Sequence, residues 1–264
     1  MLISHGLRSV PAHMSKRQTV IERQIEIITK DGRMNTFICH PERSGPHPAI
    51  IFFMDAPGIR EELRDMVRRL SSVGYYVLLP NLYYRAGVEE LGPYIGEAQA
   101  ATRERFMALM RTLDVPMVME DTDALLAFAA KDEAASKGPM GCVGYCMSGR
   151  YAVNAAARHP ARVRAAASIY GTALVSDRPD SPHLAMQRTD ARLYFGCAET
   201  DQYAPMEIID KVRSEVEKNH VNAEVEIYPG TQHGFAFPQR PAYNKAAAER
   251  HWERLFTLFG GALS

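Results

Sequence analysis

Cysteines stand at positions 39, 142, 146 and 197 of the 264-residue chain, and Cys146 is the one placed where a thiol could act as a nucleophile. Gly144-Tyr145-Cys146-Met147-Ser148 lies between an apolar run, GPMGCVGY (138–145), and an Ala-rich segment, MSGRYAVNAAARH (147–159). A strand that turns sharply into a helix around a nucleophile needs small residues two positions to either side, and Gly144 and Ser148 meet that need. The turn would present the thiol at a helix N-terminus, whose partial positive charge and free N–H groups favour a thiolate and an oxyanion. The Met147 N–H is the first expected oxyanion donor. The second is the Ala56 N–H, in Asp55-Ala56-Pro57-Gly58 after another apolar run. The competing reading makes Cys146 a buried structural thiol, as Cys39, Cys142 and Cys197 within strand patterns are expected to be.

A thiol nucleophile needs a base, and the base needs an orienting acid. Where the nucleophile occupies such a turn, the chain order is nucleophile, acid, histidine. Asp201 follows the apolar run ARLYFGC (191–197) and His233 follows AEVEIYP (223–229), so both fall after late strands. Asp201 also suits the N-terminus of the next helix, and Glu199 is a second acid candidate. His233 lies in the Gly-bounded loop Gly230-Thr231-Gln232-His233-Gly234, where a mobile, exposed imidazole is expected. His159 sits before Pro160 at a helix end, and His183 lies in a polar loop; neither has the right place in the order. No His-Glu-x-x-His or comparable cluster points to a metal, and no cofactor is expected.

The positioning elements can be read from periodicity. Residues 20–29 alternate, Asp31-Gly32 reads as a turn, and 34–40 reads as the hairpin partner. PAIIFFM (48–54) and YYVLLP (75–80) are continuous apolar runs, as strands buried on both faces require, with a helical pattern between them closed by Gly74. Helices are expected at 98–111, 116–131, around 205–218 and around 241–259, and a further strand at 163–171. Two irregular stretches, 80–97 and 172–190, interrupt the pattern. The alternation from residue 48 onward predicts an α/β protein: a mostly parallel central sheet with helices on both faces, preceded by an antiparallel hairpin. Residues 1–18 read as a flexible leader and 19–264 as one domain.

Lys plus Arg (31) equals Asp plus Glu (31), so neither nucleic acid nor an anionic membrane surface is an expected partner. No apolar run approaches the roughly 20 residues of a membrane span. The cysteines form no disulfide framework, which fits a reducing, cytoplasmic setting.

These residues together resemble the dienelactone hydrolase (carboxymethylenebutenolidase) family of α/β-hydrolase folds over about residues 20–259. Gly-Tyr-Cys-Met-Ser-Gly (144–149) is similar to that family's Gly-Tyr-Cys-x-Gly-Gly, and Asn81-Leu82-Tyr83-Tyr84-Arg85 to its Asp-Leu-Tyr-x-Arg. Gly196 to Asp201 is a stretched form of its Gly-x-x-Asp, and His233-Gly234-Phe235 is similar to its His-x-Phe. The resemblance implies attack of Cys146 on a lactone carbonyl and hydrolysis of the thioester by water activated at His233. It implies that Asp55 stands where the family has a glutamate paired with the resting thiol. It implies that Arg85 binds a substrate carboxylate, and that Phe237 replaces a second arginine, exchanging a cationic contact for an apolar one. Tyr83 and Tyr170 are further candidates for the pocket wall, with Tyr84 beside them.

The expected activity is hydrolysis of a small ester or lactone through Cys146, His233 and Asp201. An acyltransferase or thioesterase would use the same triad, and a non-catalytic small-molecule-binding module is the alternative outside enzymes. The partner expected is a small molecule; a homodimer stays open.

Overall fold

The computed structural model describes residues 19–92 and 99–263. The leader expected over 1–18 and the end of the irregular stretch 80–97 lie outside these residues. Strands β1 (Val20–Thr29) and β2 (Gly32–Pro41) form the expected antiparallel hairpin, with Thr29 opposite Gly32. β1 alternates between partly buried and exposed positions, as a sheet-edge strand should.

β3 (His47–Phe53), β4 (Tyr76–Pro80), β5 (Ala135–Tyr145), β6 (Val163–Ile169), β7 (Arg192–Thr200) and β8 (Ala223–Gln232) complete an eight-stranded sheet in the order β1-β2-β4-β3-β5-β6-β7-β8. β3 through β8 pair in parallel; the β1–β2 and β2–β4 pairs are antiparallel. The chain therefore starts its parallel part at β3, steps out to β4, then reverses to build β5 to β8 on the other side. Such a reversal leaves a crevice at the carboxyl ends of the strands, the usual ligand position in parallel sheets. β3 and β4 are almost wholly buried, which is why they read as unbroken apolar runs.

The helices are α1 (Glu61–Ser71), α2 (Gln99–Met110), α3 (Val115–Ala129), α4 (Gly149–Arg158), a single turn α5 (Pro182–Ala185), α6 (Met206–Lys218) and α7 (Lys245–Ala262). Local chemistry sets several of their ends. Asp114 caps α3 by accepting the Met117 N–H at 2.8 Å, ahead of Pro116 in the first turn. Asn244 caps α7 through the Ala247 N–H at 3.1 Å. α1 carries Glu61 and Glu62 in its first turn and Arg68 and Arg69 in its last, matching the helix dipole. The stretch 172–190, read as a loop, contains α5 and a 3₁₀ turn, Met186–Arg188. Among the described residues no helix is long and apolar enough to cross a membrane.

Candidate active site

The sheet register brings three chain segments together. Phe53 of β3 pairs with Gly144 of β5, so the Asp55-Ala56 turn leaves the sheet beside Cys146. A register shift at the end of β7 sets Thr200 opposite Gln232 of β8. The next residue on each strand is Asp201 and His233, and they emerge side by side.

Cys146 begins a short 3₁₀ turn, Cys146–Ser148, that runs into α4. Its φ is 55°, a left-handed conformation rare for a residue with a side chain. The neighbours hold it there. A Cβ on Gly144 would lie 2.0 Å from the Ser148 carbonyl oxygen, so only glycine permits the turn to close. A Cβ on Gly149 would meet Ser168 Oγ at 2.2 Å, so a second glycine lets α4 settle against β6. The Ser148 hydroxyl donates to the Met54 carbonyl, tying the turn to the end of β3. Cys146 is partly exposed, whereas Cys39, Cys142 and Cys197 are buried. Burial pushes the Cys142 thiol above the range in which it could ionise and Cys197 up to about 12, so neither offers a thiolate.

Asp201 is buried, and its two oxygens are divided. Oδ1 accepts the Tyr203 N–H at 2.8 Å, and Oδ2 lies 2.7 Å from His233 Nδ1. Cys146 is close enough to the imidazole of His233 to raise its pKa. The His233 ring is less exposed than its glycine-bounded loop predicts. It is wedged edge-on between Tyr170 at 5.0 Å and Tyr203 at 4.9 Å, leaving the side chain 19% exposed. Burial pushes its pKa down, but the hydrogen bonds to Asp201 and Cys146 outweigh that, and the pKa is raised to about 10. Glu199 faces away, accepting the Gly230 N–H at 2.8 Å from an exposed position.

A cavity of about 170 Å³ opens over Cys146 and His233. Asp55, Ala56, Tyr170 and Phe237 are among the residues that line it. Phe106, Met107 and Met110 of α2 add an apolar side, with Arg103 and Arg240 at its polar margin. Among the described residues no three His, Cys, Asp or Glu side chains are grouped to hold a metal ion.

Three readings of the pocket change. Arg85 is not among its lining residues. Its guanidinium makes a bidentate pair with fully buried Asp121, both contacts at 2.8 Å, bonds Asp31 at 2.8 Å and covers the Tyr84 ring. It is therefore spent on the fold. Tyr83 lies behind the wall: its hydroxyl donates to the Ala56 carbonyl at 2.7 Å and reaches Met147 Sδ at 3.7 Å. Asp55 pairs with cations rather than with the thiol. Oδ1 bonds Arg60 Nη1 at 2.5 Å, and Oδ2 bonds Arg60 Nη2 at 3.2 Å and Arg240 Nη2 at 2.7 Å. Arg60 also holds Glu62, which accepts the Gln239 N–H at 2.8 Å and fixes the loop after His233.

Arg240 and the α2 residues escaped the sequence reading. A cation, Arg240, follows Phe237 by three residues and lines the cavity. The Arg240 N–H donates to the Phe237 carbonyl at 3.0 Å, and this turn brings the guanidinium back over the Phe237 ring, 5.7 Å from its centre. Pro238 and Pro241 mark the turn in sequence, but not its direction.

Residues 34–263 match the dienelactone hydrolase family. A Methylorubrum extorquens protein, provisionally named a carboxymethylenebutenolidase, is 29% identical over 248 residues, covering 91% of this chain and 81% of the relative. An Escherichia coli K12 protein with the same provisional name is 28% identical over 248 residues, covering 90% and 87%. A solved structure described provisionally as a dienelactone hydrolase from Klebsiella pneumoniae superposes with a TM-score of 0.81 at 23% identity, covering 92% of this chain and 99% of that one.

Proposed function

The chain belongs to the dienelactone hydrolase family, whose members are carboxylic-ester hydrolases, and from that premise we propose that it cleaves a small ester or lactone through Cys146, His233 and Asp201. The observation that carries this reading is His233, which bonds a buried carboxylate and lines one cavity with a partly exposed thiol that raises its pKa. A thiol held in a strained turn and an imidazole oriented by an acid form the arrangement that acyl transfer to water requires.

In the proposed cycle Cys146 Sγ attacks the ester carbonyl carbon. The carbonyl oxygen becomes negative and is received by the backbone N–H groups of Met147 and Ala56. The intermediate collapses, the C–O bond breaks, and the leaving oxygen takes the proton from His233. Water then attacks the thioester, His233 takes a proton from it, and the acid and free thiolate are released as the imidazolium re-forms. Asp201 holds the ring with Nδ1 protonated throughout.

The resting state differs from one in which the thiol leans on a carboxylate. Asp55 is held by Arg60 and Arg240, and His233 is the thiol's charge partner. The cavity suits an acyl group of about one ring, since a cavity of about 150 Å³ holds benzene. Phe106, Met107, Met110 and Phe237 would face its apolar part.

The test compares native protein with Cys146→Ala on an activated aryl ester and a panel of lactones. Turnover in the native protein that vanishes in the variant is expected. Turnover that survives in the variant, or native protein inert to every substrate and to iodoacetamide, would sink the proposal.

A further inference from the structure

Tyr170 carries a polar atom that the fold leaves unused. It follows β6 directly with a φ of 36°, in the left-handed region. Its N–H donates to the Gly196 carbonyl at 2.7 Å, which anchors that backbone. Its ring is boxed by His233 at 5.0 Å, Phe235 at 5.2 Å, Tyr145 at 5.8 Å and Phe237 at 6.0 Å. The residue is 1% exposed, yet it lines the cavity with Cys146 and His233. Its hydroxyl is buried and has no hydrogen-bond partner among the described residues.

Every ring contact Tyr170 makes would be available to phenylalanine. The hydroxyl alone distinguishes the two, and in the empty protein a buried, unpaired hydroxyl is a liability. Asp55, Arg240 and Cys146 are all near enough to influence it electrostatically, but it bonds none of them. Burial keeps the phenol protonated, so it can only be offered as a neutral donor or accept from a bound group. The carbonyl oxygen under attack already has the turn's N–H groups assigned to it, so the phenol is left for a different oxygen.

Resting on the hydrolase reading above, we propose that the Tyr170 hydroxyl donates a hydrogen bond to an acceptor oxygen carried by the acyl part of the substrate, making Tyr170 a specificity-determining residue for acids with a ring, oxo or ether oxygen near the scissile carbonyl. The bond is made in ground and transition state alike, so its loss falls on KM rather than kcat. A site built to bond a substrate oxygen discriminates against the analogue lacking it, because the site's own polar group is then left unpaired.

The test uses two matched probes, the 4-nitrophenyl esters of tetrahydrofuran-2-carboxylic acid and cyclopentanecarboxylic acid, which differ in one ring oxygen. Native protein should prefer the oxygen-bearing ester in kcat/KM, and Tyr170→Phe should reduce that preference about tenfold, mainly through KM, as expected for one neutral hydrogen bond. Tyr170→Phe should also unfold at the same temperature or higher, since it removes only an unpaired oxygen. A native protein with no preference, an unchanged preference in Tyr170→Phe, or a variant that loses activity on both esters equally while melting lower would overturn the proposal. The hydrolase reading fails by a separate result: activity on both esters that Cys146→Ala retains.

Discussion

Replacing Cys146 with alanine should lower the pKa of His233. In the native protein burial pushes that pKa down, while the hydrogen bond to Asp201 and the hydrogen bond and charge of Cys146 bring it up to about 10. Alanine removes the Cys146 contributions and leaves Asp201 at 2.7 Å. A hydrogen bond to a charged group is worth about 1.5–3 kcal/mol, and about 1.4 kcal/mol corresponds to one pKa unit. The imidazole of Cys146→Ala should therefore titrate one to two units lower, near about 8–9. Heteronuclear NMR of the histidine side chains, with His233→Gln to assign the resonance, reads this directly. A His233 that titrates in Cys146→Ala at or above its native value would refute the coupling, and with it the proposed thiolate–imidazolium pair. The consequence for turnover is direct. Acylation neutralises the sulfur as alanine does, so the imidazolium loses its partner when the leaving oxygen needs its proton. It then becomes the base that the water step requires. Where thioester hydrolysis limits the rate, kcat should rise with pH and level off above about 8–9.

Arg85→Ala separates a structural from a substrate-binding arginine. It leaves Asp121, fully buried, with the Tyr84 hydroxyl at 2.8 Å as its remaining side-chain partner. The expected loss, read by urea denaturation, is about 3 kcal/mol, the low end for breaking a buried pair, with KM for a carboxylate-bearing ester unchanged; a large rise in KM without destabilisation would restore Arg85 to the substrate. Asp201→Asn tests the stability linkage of His233. A folded pKa of about 10 against an ordinary 6.5 means the imidazolium pair stabilises fully below about pH 6.5 and is withdrawn as pH rises through about 10. The native protein's stability advantage over Asp201→Asn should therefore shrink across that window in denaturation midpoints, and an advantage that is constant or growing would contradict the raised pKa.

The residues that sequence placed well are those governed by where a strand stops. Cys146, Asp201 and His233 each follow the end of a parallel strand, and parallel strands deliver their carboxyl ends to one edge. Apolar runs reveal such ends, and a left-handed turn announces itself through Gly144. Burial of β3, β4 and the second half of β5 on both faces made the sheet equally legible. The apolar side of the cavity was not, because the pattern that makes 98–111 a helix says nothing about which strand ends its Phe106, Met107 and Met110 will cover.

Charged side chains show why matching a motif position does not carry its role. Arg85 has the residue type and the chain position for a carboxylate ligand, yet Asp121, contributed by α3, takes both guanidinium edges. Asp55 has the position of a thiol partner, yet Arg60, five residues on, and Arg240, far along the chain, occupy its oxygens. In both cases the deciding partner comes from a part of the chain that no local pattern links to the motif. A buried carboxylate is secured by whichever cation reaches it with the least desolvation left over. Asp55 is bonded to Arg60 and Arg240, while Cys146 acts on His233 and raises its pKa. The raised pKa of His233 is owed to Asp201 and Cys146, and Asp55 is not among its causes. Asp55→Asn should accordingly leave the His233 titration close to its native value, whereas Asp201→Asn should lower it; a large shift in Asp55→Asn would mean that Asp55, and not His233, governs the charge on the thiol.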